Sequence, residues 1–328
     1  MDVTIPCPTT DEDQLYEDFR EAGFCVVANA LNEEQVAGMR SRLVEQAEAE
    51  RQQGLDFRDG GSDQNWGAFR NADGRIRPEA FTEEAGGRNQ RVWMLVNKGK
   101  VFLDIFRVKS VRGIVDRFLG EEYLLSSYGA NIAKPGGVEM PLHTDQWWMP
   151  SPTRSGRKPL PIGSIRRDRF DEDSELIDPP MIAPLAAVNV IWMLVDFIAE
   201  IGATRLVPGS HLSGRQPDVE GEQSAVQPEA PAGSAIVLDA RTWHGTGANT
   251  GKQDRLALLS TFCGPQFRTQ ENLVVGTHED VVAEADEDLR ALLGYKVWHA
   301  YGRIESPAVE FIQPGQKGLG EMERGNGK

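Results

Sequence analysis

The sequence predicts a mainly β protein with flanking helices, its core a sandwich or barrel of the jelly-roll kind. Three observations carry that expectation. Apolar residues in the first third recur at helical spacing. After Gly120 come short apolar or alternating runs: Tyr123–Ile132, Leu142–Trp148, Ala186–Val195, Thr204–Val207, Ala235–Leu238 and Leu256–Cys263. Pro and Gly punctuate these runs, the pattern of short strands joined by turns. The chain has 328 residues, 40% of them hydrophobic and 26% charged, enough to bury a large core.

The helical part runs from about residue 10 to 120. A first helix spans about Asp11–Ala22 with Leu15 and Phe19 on one face, and Gly23 ends it. Phe24–Val27 reads as a strand. Asn32 and Gln35 form a capping box for a second helix, Leu31 and Val36 a hydrophobic staple, and Gly54 its stop. Val36, Met39 and Leu43 line its inner face. Residues 55–90 are polar and Gly-rich and read as loop. A third helix is expected over Val101–Leu119, with Phe102, Phe106 and Val115 inward and Gly120 as its stop. A last helix covers about Asp280–Leu293.

Composition narrows the function classes. The net charge of −15 argues against general nucleic-acid binding, which needs clustered Lys and Arg. No run of about 18 apolar residues predicts a membrane span. The polar, acidic start does not read as a signal peptide, so a cytoplasmic location is expected. Cys7, Cys25 and Cys263 are too few and scattered for a disulfide framework and read as thiols, the latter two buried in strand-like runs.

The chemistry centres on Pro141-Leu142-His143-Thr144-Asp145. In a strand, residues two apart share a face, so His143 and Asp145 would converge while Thr144 faces away. His244, in Trp243-His244-Gly245-Thr246, is the natural third donor from a distant strand. Two imidazoles and one carboxylate leave positions open, as Fe(II) oxygen chemistry requires. His-x-Asp alone occurs by chance in many chains. The pattern gains weight from Arg255, at the start of the run to Phe262. A buried guanidinium can grip the far carboxylate of a dicarboxylate co-substrate as a fork, and Thr246 could add a hydroxyl. The bland reading of Arg255 is a strand-edge surface residue. His211 reads as a turn residue, and His278 and His299 as structural or exposed; they keep an alternative third ligand open.

These residues resemble the phytanoyl-CoA dioxygenase family. The segments that carry the likeness are Phe19–Val27 with Leu31–Val36, Pro141–Asp145, Gly202–His211, Pro231–Asp239 and Trp243–Asn249, followed by Arg255. The resemblance implies one domain: a double-stranded β-helix (cupin-like) core over about 121–275, helices packed on one side, and a C-terminal helix and tail over about 276–328. It implies Fe(II) on His143, Asp145 and His244, and 2-oxoglutarate on Arg255 and Thr246, with Asn131 touching the co-substrate. Many relatives carry Trp where this chain places Ile191, next to Trp192.

The implied reaction couples O2 and 2-oxoglutarate, released as succinate and CO2, to oxidation of an unactivated C–H bond in a small or medium substrate. Hydroxylation is the leading outcome, with desaturation, epoxidation and rearrangement open. Asp145 argues against halogenation, which needs its ligand position vacant. Trp147, Trp148 and Met149 follow the metal motif and are candidates for a substrate wall, against a reading as core packing. The loop 149–184, with six basic residues (Arg154, Arg157, Lys158, Arg166, Arg167, Arg169), could form a lid that receives an anionic group, or a solvated charged loop. Competing readings of the same donors are a zinc hydrolase, a non-catalytic β-helix binding protein, and an iron oxidase without keto acid.

Overall fold

The computed structural model describes residues 4–62, 64, 77–149, 163, 182–217, 224–304 and 309–313. Among the described residues nine strands form two antiparallel sheets. They are β1 (Phe24–Val27), β2 (Phe57–Asp59), β3 (Asn89–Val92), β4 (Leu124–Ala133), β5 (Ala187–Met193), β6 (Arg205–Leu206), β7 (Ala235–Asp239), β8 (His244–Gly245) and β9 (Arg255–Cys263). The major sheet has the order β1-β7-β5-β9-β4-β3-β2, and β6 pairs with β8 in the minor one. Isolated bridges from Val226 to Leu206 and from His143 to His244 widen the minor sheet on both sides. Two facing antiparallel sheets with long crossovers are the jelly roll expected from the strand spacing.

The helices form as their ends dictate. In α1 (Glu12–Ala22) Asp11 accepts from Gln14 N at 3.2 Å, and Gly23 closes the helix at φ 82°. In α2 (Glu33–Gln52) the Asn32 side chain accepts from Gln35 N at 2.9 Å and Asn32 N donates to Gln35 Oε1 at 3.0 Å, the expected capping box. Leu15, Phe19, Met39 and Leu43 pack on the outer face of the major sheet with Val188, Val190 and Trp192 of β5. The other face of that strand, through Ile191 and Met193, joins Phe24, Phe197, Leu206 and Ile236 between the sheets. Because helices cover one face and the minor sheet the other, β5 and β7 are apolar and buried almost throughout.

Four expectations need correction. Residues 55–90 are not all loop: β2 and β3 complete one edge of the major sheet, β3 pairing with β4 as Arg91 opposite Asn131. The third helix is broken at Val108 (φ −73°, ψ 101°), a 3-10 segment Lys100–Arg107 preceding α3 (Lys109–Leu119); Phe102, Phe106 and Val115 still point inward, because each piece buries its own apolar stripe. Leu142–Trp148 is not a strand; only His143 bridges, since Asp145 N and Gln146 N both turn to Ala240 O. The C-terminal helix is divided into Glu279–Glu284 and Glu287–Leu292, because Ala285 is extended and Asp286 starts a new cap. Cys25 and Cys263 are buried thiols, as expected. Among the described residues no helix is long and apolar enough to cross a membrane.

Candidate metal and co-substrate site

His143, Asp145 and His244 each present one donor atom, all within 4.8 Å of one another. Their convergence is built by backbone. His143 N donates to His244 O at 2.9 Å and His244 N to His143 O at 3.0 Å, so the two histidines face each other across the minor sheet, ring centroids 4.5 Å apart. Asp145 N donates to Ala240 O at 2.8 Å, turning its carboxylate back toward the rings. Asp145 and His143 therefore meet through a bend after a bridge, not through the strand alternation inferred from their spacing.

The donor chemistry fits a divalent metal. A carbonyl can only accept, so His244 Nδ1 donates to Thr242 O at 2.8 Å and His143 Nδ1 to Pro141 O at 3.1 Å. Both imidazoles are thereby fixed with the Nε2 lone pair turned to the centre. His244 Nε2 lies 3.2 Å from Asp145 Oδ2, and His143 Nε2 lies 3.6 Å from Asp145 Oδ1. Lone pairs crowded this closely repel unless a cation sits among them.

Two residues missed in the sequence hold the motif. Asn189, on the inner face of β5, donates to Asp145 Oδ2 at 2.7 Å. Gln146 donates to Pro184 O at 2.6 Å and accepts from Ala186 N at 2.7 Å, tying the motif to the chain entering β5. A polar residue in a strand as apolar as β5 was the available signal for Asn189.

The second half of the site lies along β4 and β9. Arg255 is almost fully buried, at 1% exposure. Its Nε donates to Gly202 O at 3.2 Å, its guanidinium lies 5.1 Å from the Phe197 ring, and its Nη2 is buried with no hydrogen-bond partner. Burial, and next the like charge of Arg91, pull its pKa down to about 9 against a weaker opposing pull from Asp59. The surface reading of Arg255 is thus overturned. Asn131 donates to Thr246 Oγ1 at 2.9 Å and its own Oδ1 is unpartnered. Register places Ala133 opposite Arg255 and Asn131 opposite Ala257, so Asn131 and Arg255 share the inner face. Buried donors and acceptors without protein partners are rare in native proteins, and a bound water or ligand can complete the two on this face. Gly202, at φ +85°, packs so closely on Gly247 that a Cβ would lie 2.6 Å from its carbonyl oxygen. That contact joins the turn holding Arg255 to the segment holding His244 and Thr246.

The remaining candidates are dispersed. Trp148 packs on Phe267, ring centroids 4.8 Å apart, and on the Ala187, Ala240 and Cys263 cluster. Trp147 is half-buried beside it, and Met149 N donates to Gln146 O at 3.1 Å. The basic residues of the 149–184 loop lie outside the described residues. His211 is buried under α1, its Nε2 3.1 Å from Arg20 O, while His278 and His299 are exposed; none joins the donor cluster.

The model of the family "Phytanoyl-CoA dioxygenase (PhyH)" matches residues 19–257, which take in every donor and Arg255. The chain belongs to the phytanoyl-CoA dioxygenase family. It is an enzyme of the dioxygenase type, and its three converging donors are placed to hold a metal ion. The dioxygenase af480 of Aspergillus fumigatus is 28% identical over 208 residues, covering 62% of this chain and 58% of the relative. An uncharacterized protein of Mycobacterium tuberculosis is 25% identical over 317 residues, 94% of each chain. Among solved structures, the epimerase SnoN in complex with Fe3+, alpha ketoglutarate and nogalamycin RO superposes with a TM-score of 0.51 at 18% identity, covering 77% of this chain and 84% of that one. HygX from Streptomyces hygroscopicus, with nickel, 2-oxoglutarate and hygromycin B bound, gives 0.52 at 15% identity, covering 78% and 88%. At such identities these two structures speak for the jelly-roll fold.

Proposed function

We propose that this PhyH-family protein is an Fe(II)- and 2-oxoglutarate-dependent dioxygenase that hydroxylates an unactivated C–H bond of a small or medium natural product, releasing succinate and CO2. The observation that carries this reading is the three-donor cluster lying in one fold with a buried, half-partnered arginine. A zinc hydrolase would use the donors and leave Arg255 without a task. Natural-product substrates are favoured by the nogalamycin and hygromycin ligands of the structural neighbours.

In this reading His143, Asp145 and His244 bind the metal through Nε2, a carboxylate oxygen and Nε2. Asn189 keeps the carboxylate of Asp145 oriented. Arg255 Nη2 and Thr246 Oγ1 hold the far carboxylate of 2-oxoglutarate, with Asn131 orienting the threonine. Bound iron and 2-oxoglutarate together supply the O2 activation that oxidises the C–H bond. Ile191, on the inner face of β5, would offer the substrate an aliphatic contact.

Anaerobic addition of Fe(II) and 2-oxoglutarate tests the site: a visible charge-transfer band is expected, and its appearance should require both. Screening natural products for coupled succinate release then tests the reaction. Zinc-supported hydrolysis with no 2-oxoglutarate turnover would replace this reading with the hydrolase.

A further inference from the structure

β3 places a second guanidinium beside the co-substrate subsite. Arg91 stands opposite Asn131 in the β3–β4 register, on the same inner face as Asn131 and Arg255. Its side chain is only 11% exposed, and its Nε donates to Asp59 Oδ2 at 2.9 Å. Asp59, on β2, is itself buried at 3% exposure, and its Oδ1 has no hydrogen-bond partner. Arg255 feels both groups, repelled by Arg91 and attracted by Asp59.

The charges explain why both are present. A buried carboxylate near Arg255 would by itself neutralise that guanidinium and compete with any incoming acid. Arg91 occupies the carboxylate. Two guanidiniums and one carboxylate leave one positive charge, the complement of one ligand carboxylate.

We propose that the Arg91–Asp59 ion pair sets the charge of the subsite, with Arg91 holding Asp59 away from Arg255 so that Arg255 remains free to bind the far carboxylate of the keto acid. Arg91 is thus a positioning residue that acts through Asp59. The proposal rests on the 2-oxoglutarate reading of Arg255 given above.

The test is a double-mutant cycle read by anaerobic 2-oxoglutarate binding to the Fe(II)-loaded protein, through the visible band and by calorimetry. Arg91→Gln should weaken binding at least tenfold, because the Asp59 charge then acts on Arg255 uncompensated. Asp59→Asn should bind 2-oxoglutarate as tightly as the wild type or tighter. Combined Arg91→Gln and Asp59→Asn should return the dissociation constant to within about threefold of the wild type. A purely structural role for the pair predicts the reverse: both single variants weaken binding and the double variant is no better. Wild-type-like binding by Arg91→Gln, or weakened binding by Asp59→Asn, overturns the proposal. Should Arg91→Gln fail to fold, the other two variants decide it. A wild-type protein that does not bind 2-oxoglutarate at all instead removes the functional reading beneath.

Discussion

Asn189 donates a 2.7 Å hydrogen bond to Asp145 Oδ2, the oxygen that also lies 3.2 Å from His244 Nε2. One strand of the major sheet thereby orients a ligand carried by a bend outside it. Partners that hold a metal ligand typically contribute about 10–100-fold in affinity. Asn189→Ala should therefore weaken Fe(II) binding by about that factor while the fold persists. Equilibrium dialysis measures it, and an unchanged dissociation constant would refute the role.

Removing a donor goes further. His143→Ala or Asp145→Ala should abolish iron-dependent succinate release. Metal at about a hundred times its Kd stabilises a protein by ~2.7 kcal/mol. A thermal melt with and without Fe(II) should show that gain in the wild type and lose it in either variant. An equal gain in His143→Ala would place the metal elsewhere.

Arg255→Ala removes the buried guanidinium proposed to grip the keto acid. Hydrogen bonds to a charged group contribute about 1.5–3 kcal/mol each, so the 2-oxoglutarate requirement should rise roughly a hundredfold. Fe(II) affinity measured without 2-oxoglutarate should stay within a few-fold of the wild type. An unaltered 2-oxoglutarate requirement would show that another group grips the diacid.

Gly202→Ala tests the close approach behind Arg255. The new Cβ would meet the Gly247 carbonyl at 2.6 Å, at a residue with φ +85°. Strain of this kind costs on the order of 1–3 kcal/mol. Chemical denaturation should show a loss of that size. Because Gly202 O accepts from Arg255 Nε, weaker 2-oxoglutarate binding should accompany it.

His211 makes stability depend on pH. Burial, its largest influence, lowers its pKa from the ordinary 6.5, outweighing the attraction of Asp239 and the bond to Arg20 O; Arg241 lowers it further. The unfolded chain therefore takes up the proton first as pH falls. This contribution to stability is complete above about pH 6.5 and is lost between there and the lower folded value. His211→Gln should flatten that part of a stability profile measured by urea unfolding. An identical slope in the variant would assign the acid sensitivity to other groups.

The sequence made parts of this molecule legible because the signals were local. The Asn32–Gln35 box, the Gly23 stop and the spacing of Leu15 with Phe19 act within a few residues, and the structure reproduces them. The donors His143, Asp145 and His244 were legible through their residue types, although the bend that joins them was not. β2 and β3 escaped notice because their inner residues, Asp59 and Arg91, are charged and bury themselves as an ion pair. Binary patterning reads such strands as loop. Asn189 and Gln146 were missed for another reason: each acts on a partner some 40 residues away along the chain.

The clamp made by Gln146 has a consequence for how the family can diversify. Its amide joins the residue after the metal motif to Pro184 and Ala186, so the motif and the start of β5 are held together across the intervening sequence. The entropy of closing such an excursion grows only slowly with its length. Insertions, deletions or wholesale exchange of that stretch can thus be accepted while the ligands keep their places. The Gln146 clamp thus leaves evolution, or an engineer, free to rewrite the sequence between two fixed points without unseating the donors.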